Sequence, residues 1–281
     1  MYARPKLGHG VGLRPRHYSQ FLDGSPDIAW VEAISENFMG LGGRPLAVLE
    51  KARRERPVVL HGVSLAVGSI EPLSEAYLAD LAALIHRIEP VMVSDHLCWG
   101  RAHDRYAHDL LPMPYTRVTL EHVVERVKRV QGRLDRQILI ENPSTYLAFK
   151  ESVIPEAEFL AAVAERADCG ILLDVNNVYV SARNHGFDPV AYIDAVPVER
   201  VGQFHLAGHQ DRGTIVIDTH DGHVVDAVWE LYRHAVRRFG DVPSLVEWDD
   251  QVPELEVLLA ESRLARQTAD EVLGRQKAFA Q

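Results

Sequence analysis

Cysteine is almost missing from this chain: Cys98 and Cys169 are the only two in 281 residues, far apart and without CxxC spacing. That excludes a disulfide framework and a zinc ribbon, and both sit in apolar runs that suit small buried thiols. Long apolar stretches are missing too. None approaches the length of a membrane span, and the opening MYARPKLGHG has no apolar signal segment, so no membrane partner and a cytoplasmic location are expected. Clustered positive charge is also lacking. With a net charge of −10, a nucleic-acid partner is not expected, because such a face needs Lys and Arg to displace counterions. Lysine is scarce, with none between Lys6 and Lys51 or between Lys150 and Lys277. No GxGxxG follows the first apolar run, which removes the dinucleotide-binding fold. No linker, internal repeat or low-complexity tract divides the chain, so one domain over residues 1–281 is expected.

What is present is a regular alternation. Eight short apolar runs suit strands buried on both faces: 11–13, 28–34, 57–68, 90–100, 137–143, 169–180, 200–209 and 244–250. Helical periodicity separates them, as in LSEAYLADLAALIHRI, RVTLEHVVERVKRVQGRL and HVVDAVWELYRHAVRRF. Prolines 155, 189 and 253 open further helices, the last running to about residue 275 and packing on the barrel. The pattern predicts an α/β fold, a (β/α)8 TIM barrel.

In such a barrel the chemistry collects at the C-terminal ends of the strands. Those ends carry His61, His96, Glu141, Asp174, Asn177, His205 and Glu247, and the loop after the seventh run adds Asp218 and His220 in VIDTHDGH. His61 or His96 taken alone suits a hydrogen-bonded core histidine. Glu141 in ILIE and Glu247 in SLVE are harder to dismiss, because an unpaired buried carboxylate costs several kcal/mol. Asp211, Asp221 and Asp249 read as solvated loop charges, and His103 and His108 as loop residues. Asp221 and Gly222 read as the turn into a helix starting near His223. Nine converging ligands exceed the needs of one ion and suit two or three metals bridged by carboxylates. Imidazole with carboxylate favours zinc, iron or manganese, and composition does not choose between them.

The motifs GVGLRPRHY, SENFMG, LHGVSLAVGS, SDHLCW, LLPMPYT, IENPSTY, LLDVNNVYVSARNHGFD and FHLAGH, in this order, resemble the DUF692 (UPF0276) family over about residues 8–250. That family includes the methanobactin oxazolone-forming subunit and the enzyme that excises a cysteine β-carbon in 3-thiaglutamate biosynthesis. The resemblance implies a xylose isomerase-like barrel holding two or three non-haem iron ions and using O₂ to oxidise cysteines of a ribosomally made precursor peptide. A small partner protein that binds the peptide leader is implied as well. The ligand order is also similar to that of endonuclease IV, a three-zinc barrel. By these likenesses His61 and His96 hold one metal, and Glu141, Asp174 and Glu247 are bridging or shared. Asn177, His205, Asp218 and His220 complete the set; endonuclease IV has histidine where Asn177 stands. Arg14, His17, Glu36, Asn37 and His209 are the candidate substrate-side residues. The rival readings are a zinc phosphodiester hydrolase, a sugar isomerase on the same barrel, and a non-catalytic metal- or peptide-binding protein. An isomerase would need a lysine near the site, and Lys128 and Lys150 are poorly placed for it.

Overall fold

A computed structural model describes residues 3–24, 26–40, 42–102 and 105–275. Eight parallel strands close into a barrel: β1 (His9–Gly12), β2 (Trp30–Ile34), β3 (Val58–His61), β4 (Met92–His96), β7 (Leu139–Glu141), β8 (Gly170–Asp174), β9 (Val201–Leu206) and β12 (Ser244–Val246). Each pairs with its sequence neighbours, and β1 closes the ring against β12. The outer helices are α1 (Tyr18–Asp23), α2 (Arg44–Glu55), α3 (Glu75–Ile88), α4 (Arg117–Leu134), α5 (Glu156–Ala167), α6 (Val175–His185), α7 (Pro189–Ala195), α8 (Asp226–Phe239) and α9 (Leu255–Val272). Seven of the eight apolar runs contain a barrel strand, and the first, 11–13, overlaps the end of β1. The last helix packs on the barrel as expected, with Ser262 Oγ donating to Gly10 O at 3.3 Å.

Alternation along the strands explains both the apolar runs and the site. Outward-facing Val31, Val58, Leu60, Val93, Ile140, Ile171, Leu173, Phe204 and Val246 join the core between sheet and helices. Inward-facing Trp30, Val59, Met92, Leu139, Leu172 and Leu245 form a separate apolar plug low in the barrel. Two residues further along, on the same inward face, the chain places Glu32, His61, Ser94, Glu141, Asp174 and Glu247. Along each of these strands the inward face thus changes from apolar to polar within one step. Gly10 makes room for the largest plug residue, since a Cβ there would lie 2.4 Å from the Trp30 ring.

Several run boundaries differ from the sequence expectation. The run 169–180 ends as a strand at Asp174, whose Oδ1 accepts from Asn177 N at 2.7 Å and caps α6; the cap turns VNNVYV into helix. Beyond His61 the run 57–68 is loop, its amides satisfied by Ser94 O and the Asp95 carboxylate. The segment read as a loop around GRAHDRYAHD is instead a hairpin, β5 (Trp99–Ala102) with β6 (Arg105–Leu111). His103 and the side chain of His108 lie outside the described residues. A second hairpin, β10 (Gln210–Asp211) with β11 (Val216–Ile217), precedes the Asp218 loop. The following helix begins at Asp226 rather than near His223, and Asp221 instead accepts from Thr219 Oγ1 and Gln210 Nε2. Among the described residues no helix is long and apolar enough to cross a membrane.

Candidate metal centre

The first cluster is the clearest. His96 Nδ1 lies 3.1 Å from Gly62 O, and a carbonyl only accepts, so Nδ1 carries the proton and Nε2 presents a lone pair. His61 Nδ1 is held by Ser94 Oγ at 2.8 Å. Both Nε2 atoms then converge on one oxygen, each 3.2 Å from Glu141 Oε2. That oxygen is buried without a hydrogen-bond partner among the described residues. The His96 lone pair facing a carboxylate oxygen is repelled by it unless a cation stands between them. Ser94→Ala frees the His61 ring, so the metal in this cluster should bind roughly 10–100-fold more weakly, read by competition with a chromogenic chelator. Unchanged affinity would remove Ser94 from this role.

Three clusters follow one another through shared carboxylates, and a fourth, of Glu32, His205 and Glu247, shares Glu247 with the last of them. Ligand atoms of His61, His96 and Glu141 lie within 4.8 Å of one another, as do those of Glu141, Asp174 and His205, and those of Asp174, His220 and Glu247. Glu141 and Asp174 each belong to two adjoining groups, as bridging ligands require. The buried atoms Asp174 Oδ2, Asn177 Oδ1 and His205 Nδ1, without a hydrogen-bond partner among the described residues, lie in the same region. Asn142 stitches the neighbouring strand ends together: its side chain accepts from Asp174 N at 2.9 Å and donates to Asp174 O at 3.0 Å. The donor set therefore fits two or three cations preferring nitrogen and oxygen.

The loop carrying Asp218 and His220 is bent into place. Gly208 passes so close to it that a Cβ would lie 2.3 Å from Gly222 O. His220 adopts φ +46°, a left-handed conformation worth about 1–3 kcal/mol of strain in a non-glycine residue. It is held there by bonds from its N to Gly208 O (3.1 Å) and from Asp249 N to its O (2.8 Å). Its Nε2 lies 2.7 Å from Asp218 Oδ1, and its Nδ1 3.4 Å from Glu247 Oε2.

Left without a cation, these groups have unusual proton affinities. Burial pushes Glu141 up to about 8, against the pull of His205, and pushes Asp174 up to about 7. Burial also lowers His96 to about 4 and, with His96 and His205 adjacent, takes His61 well below its ordinary value. For His205 and His220 burial opposes the charge, yet the surrounding carboxylates raise both well above the usual range. For Glu247 burial is outweighed by His205, His220 and Arg14, which hold it low. Metal uptake must displace the protons on Glu141 and Asp174 as well as those on His205 and His220, so affinity should climb as pH rises through about 7 and about 8. Calorimetric titration in buffers of different ionisation enthalpy measures the released protons; none released at pH 7 would contradict this.

The substrate-side candidates divide. Arg14 is turned into the protein, donating to Trp248 O at 3.1 Å, Glu247 Oε1 at 3.3 Å and the Asp249 carboxylate. It positions Glu247 instead of lining the mouth. His17 is fully buried, its Nε2 2.8 Å from Pro253 O, and is withdrawn from any substrate. The physical reason is the same for both: their partners lie more than 230 residues away, where the chain closes the barrel. Glu36 is half-buried and accepts from Tyr77 Oη at 2.7 Å and Val63 N at 2.9 Å, while Asn37 is exposed. His209 stacks on Tyr179 with ring centroids 4.9 Å apart. Its Nδ1 bonds Asn176 Oδ1 at 2.7 Å, and Asn176 Nδ2 donates to Asp218 Oδ1 at 2.7 Å.

Two acidic residues escape the sequence reading. Asp249, read as a solvated loop charge, is exposed, yet it also pairs with Arg14 and lies 3.3 Å from His220 Nδ1. Glu32 is buried beneath His205, and its signal was a carboxylate inside the apolar run IAWVEAI.

Several known proteins are similar to this chain. A UPF0276 protein of Anaeromyxobacter sp. (strain Fw109-5) is 64% identical over 264 residues, covering 94% of this chain and 93% of its own length. Another, from Acaryochloris marina (strain MBIC 11017), is 50% identical over 258 residues, covering 92% and 93%. Endonuclease IV from Thermus thermophilus superposes with a TM-score of 0.62 at 17% identity, covering 95% of this chain and all of that one. A D-psicose 3-epimerase gives 0.59 at 12% identity, covering 95% and 99%. These two likenesses establish the xylose isomerase-like TIM barrel and no more. The profile of the family described as RiPP precursor modification enzyme MbnB/TglH/ChrH matches residues 8–270, and the chain belongs to that family.

Proposed function

We propose that this protein is a non-haem iron oxidoreductase that uses O₂ to modify cysteine residues of a ribosomally synthesised precursor peptide. The observation that carries the reading is the run of three carboxylate-sharing ligand clusters at the C-terminal end of the barrel, in a chain of a RiPP-modifying family. Two or three bound iron ions would supply Lewis acidity toward a substrate thiol and the electrons for reducing O₂. The chain's own residues do the rest. His61, His96, His205 and His220 offer neutral nitrogen donors, Glu141, Asp174, Asp218 and Glu247 offset the positive charge, and Asn177 adds an amide oxygen. Asn142, Ser94 and Arg14 fix those ligands in place. Asn37 and the Tyr179-stacked His209 are offered at the mouth, where a peptide carrying cysteine would lie, presented by a small leader-binding partner. No nucleic acid or membrane enters this reading.

Sugar isomerisation is disfavoured by the ring of side chains itself. Lys128 lies on the outer helix α4, 3.5 Å from Glu125, and Lys150 is exposed beyond β7. The test is to load the protein anaerobically with Fe(II), add a Cys-containing precursor encoded beside it together with the partner, and admit O₂. A mass change confined to cysteine, with O₂ consumed, is expected. Zinc as the only metal acquired in cells, with iron giving neither O₂ uptake nor a mass change, would overturn the proposal.

A further inference from the structure

Glu32 lies outside the nine-residue ligand set, yet it is a carboxylate buried inside the barrel. It points into the barrel from the middle of β2, level with Val59 in the register, one inward step below His61. Trp30 of the apolar plug lies one inward step beneath it and Val59 beside it, and it is 3% exposed. A carboxylate there needs partners to offset its burial. It has two. Gln203 Nε2 donates to Glu32 Oε2 at 2.6 Å, and His205 Nε2 stands 3.0 Å from Glu32 Oε1 and 3.2 Å from Oε2.

His205 is thereby gripped from below while its other nitrogen faces the metal clusters. Nδ1 lies 3.1 Å from Glu247 Oε2 and 3.5 Å from Glu141 Oε1. A neutral imidazole that gives its Nδ1 lone pair to a metal must carry its proton on Nε2, and that proton needs an acceptor. Glu32 is the acceptor in reach. The Gln203 amide nitrogen also approaches His205 Nε2, at 2.8 Å. As a donor it can serve a bare Nε2, but once the proton sits on Nε2 it can only brace the Glu32 carboxylate.

Glu32, His205 and Glu247 also have ligand atoms close enough to hold an ion directly. Against that, an amide N–H₂ group occupies the space between Glu32 and His205 Nε2 and would oppose a cation there. We infer that Glu32, braced by Gln203, is a positioning residue that accepts the Nε2 proton of His205 and so commits Nδ1 to the metal shared with Glu141 and Asp174. The inference rests on reading the clusters as a metal centre.

Cobalt(II) titration followed by the ligand-field absorption bands tests it, with the wild type in parallel. In Glu32→Gln one ion per chain should bind about 10–100-fold more weakly, with unchanged band positions and intensities, because the metal's own ligands are intact. Glu32→Ala should lose more affinity than Glu32→Gln, whose amide oxygen still accepts from Nε2. Gln203→Ala, which leaves the carboxylate but releases it, should weaken the same ion less than either. Wild-type affinity in all three variants would overturn the inference, leaving Glu32 a packing residue. Altered bands in Glu32→Gln would also overturn it, by making Glu32 a ligand. A wild type that binds no cobalt would instead remove the metal centre itself.

Discussion

Glu141→Gln is expected to lose at least one metal ion per chain and to abolish peptide modification while leaving the barrel folded. Glu141 is the residue on which two clusters depend, with His61 and His96 converging on one of its oxygens and His205 3.5 Å from the other. Glutamine keeps the shape and one acceptor but removes the charge. Breaking a buried charge interaction by removing one partner costs about 3–5 kcal/mol. At about 1.4 kcal/mol per tenfold, that weakens binding by roughly a hundred- to several-thousandfold. The same substitution should stabilise metal-free protein at high pH. Burial raises the folded-state value of Glu141 to about 8, so its contribution favours folding below its ordinary range and is lost as pH rises through about 8. The neutral glutamine escapes that loss, and the variant should gain on the wild type as pH increases. Metal analysis after gel filtration and chelator-treated melts across pH measure both effects. A full metal complement in Glu141→Gln would refute the bridging role.

Why Glu141 was visible in the sequence, and Glu32 was not, follows from the geometry. The barrel strands announce themselves because outward residues are apolar everywhere and inward residues are apolar at the lower level, giving runs such as QILI and CGILL. Ligand residues end those runs, so position at a strand end is a usable signal for His61, His96, Glu141, Asp174 and Glu247. Glu32 interrupts its run instead of ending it, because β2 continues to Ile34, in register with His61. The burial cost that marks Glu141 applies to it equally. Arg14, His17 and Asp249 fail for a different reason. Each looks polar and loop-borne locally, and its partner lies across the closure of the barrel, where sequence distance hides it. The hairpin from Trp99 to Leu111 was missed because its strands lie outside the barrel. None of the residues of β5 is buried, and the segment therefore lacks the apolar alternation that identifies a strand.

Stripping the metals with a strong chelator should lower the melting temperature sharply. The centre gathers Glu141, Asp174 and Glu247, all almost completely buried, around positions where cations would offset their charge. A ligand present at about a thousand times its dissociation constant, bound only by the folded state, adds about 4 kcal/mol of stability. For a chain somewhat longer than 250 residues each kcal/mol moves the midpoint by roughly 2 °C, so one ion contributes roughly 8 °C and several contribute more. His220→Ala separates this from a general effect of the chelator. It removes one ligand of the outermost cluster and leaves the left-handed backbone that bonds Gly208 and Asp249 as it is, since alanine also carries a Cβ. That variant should retain the ion held by His61 and His96 and show a smaller chelator-induced shift than the wild type. Differential scanning fluorimetry with metal analysis at each step resolves the two contributions. If chelator-treated wild type, shown to be metal-free, melted where the loaded protein does, the buried carboxylates would not depend on cations. The proton distribution over His205, His220, Glu141 and Asp174 would then have to balance the centre unaided.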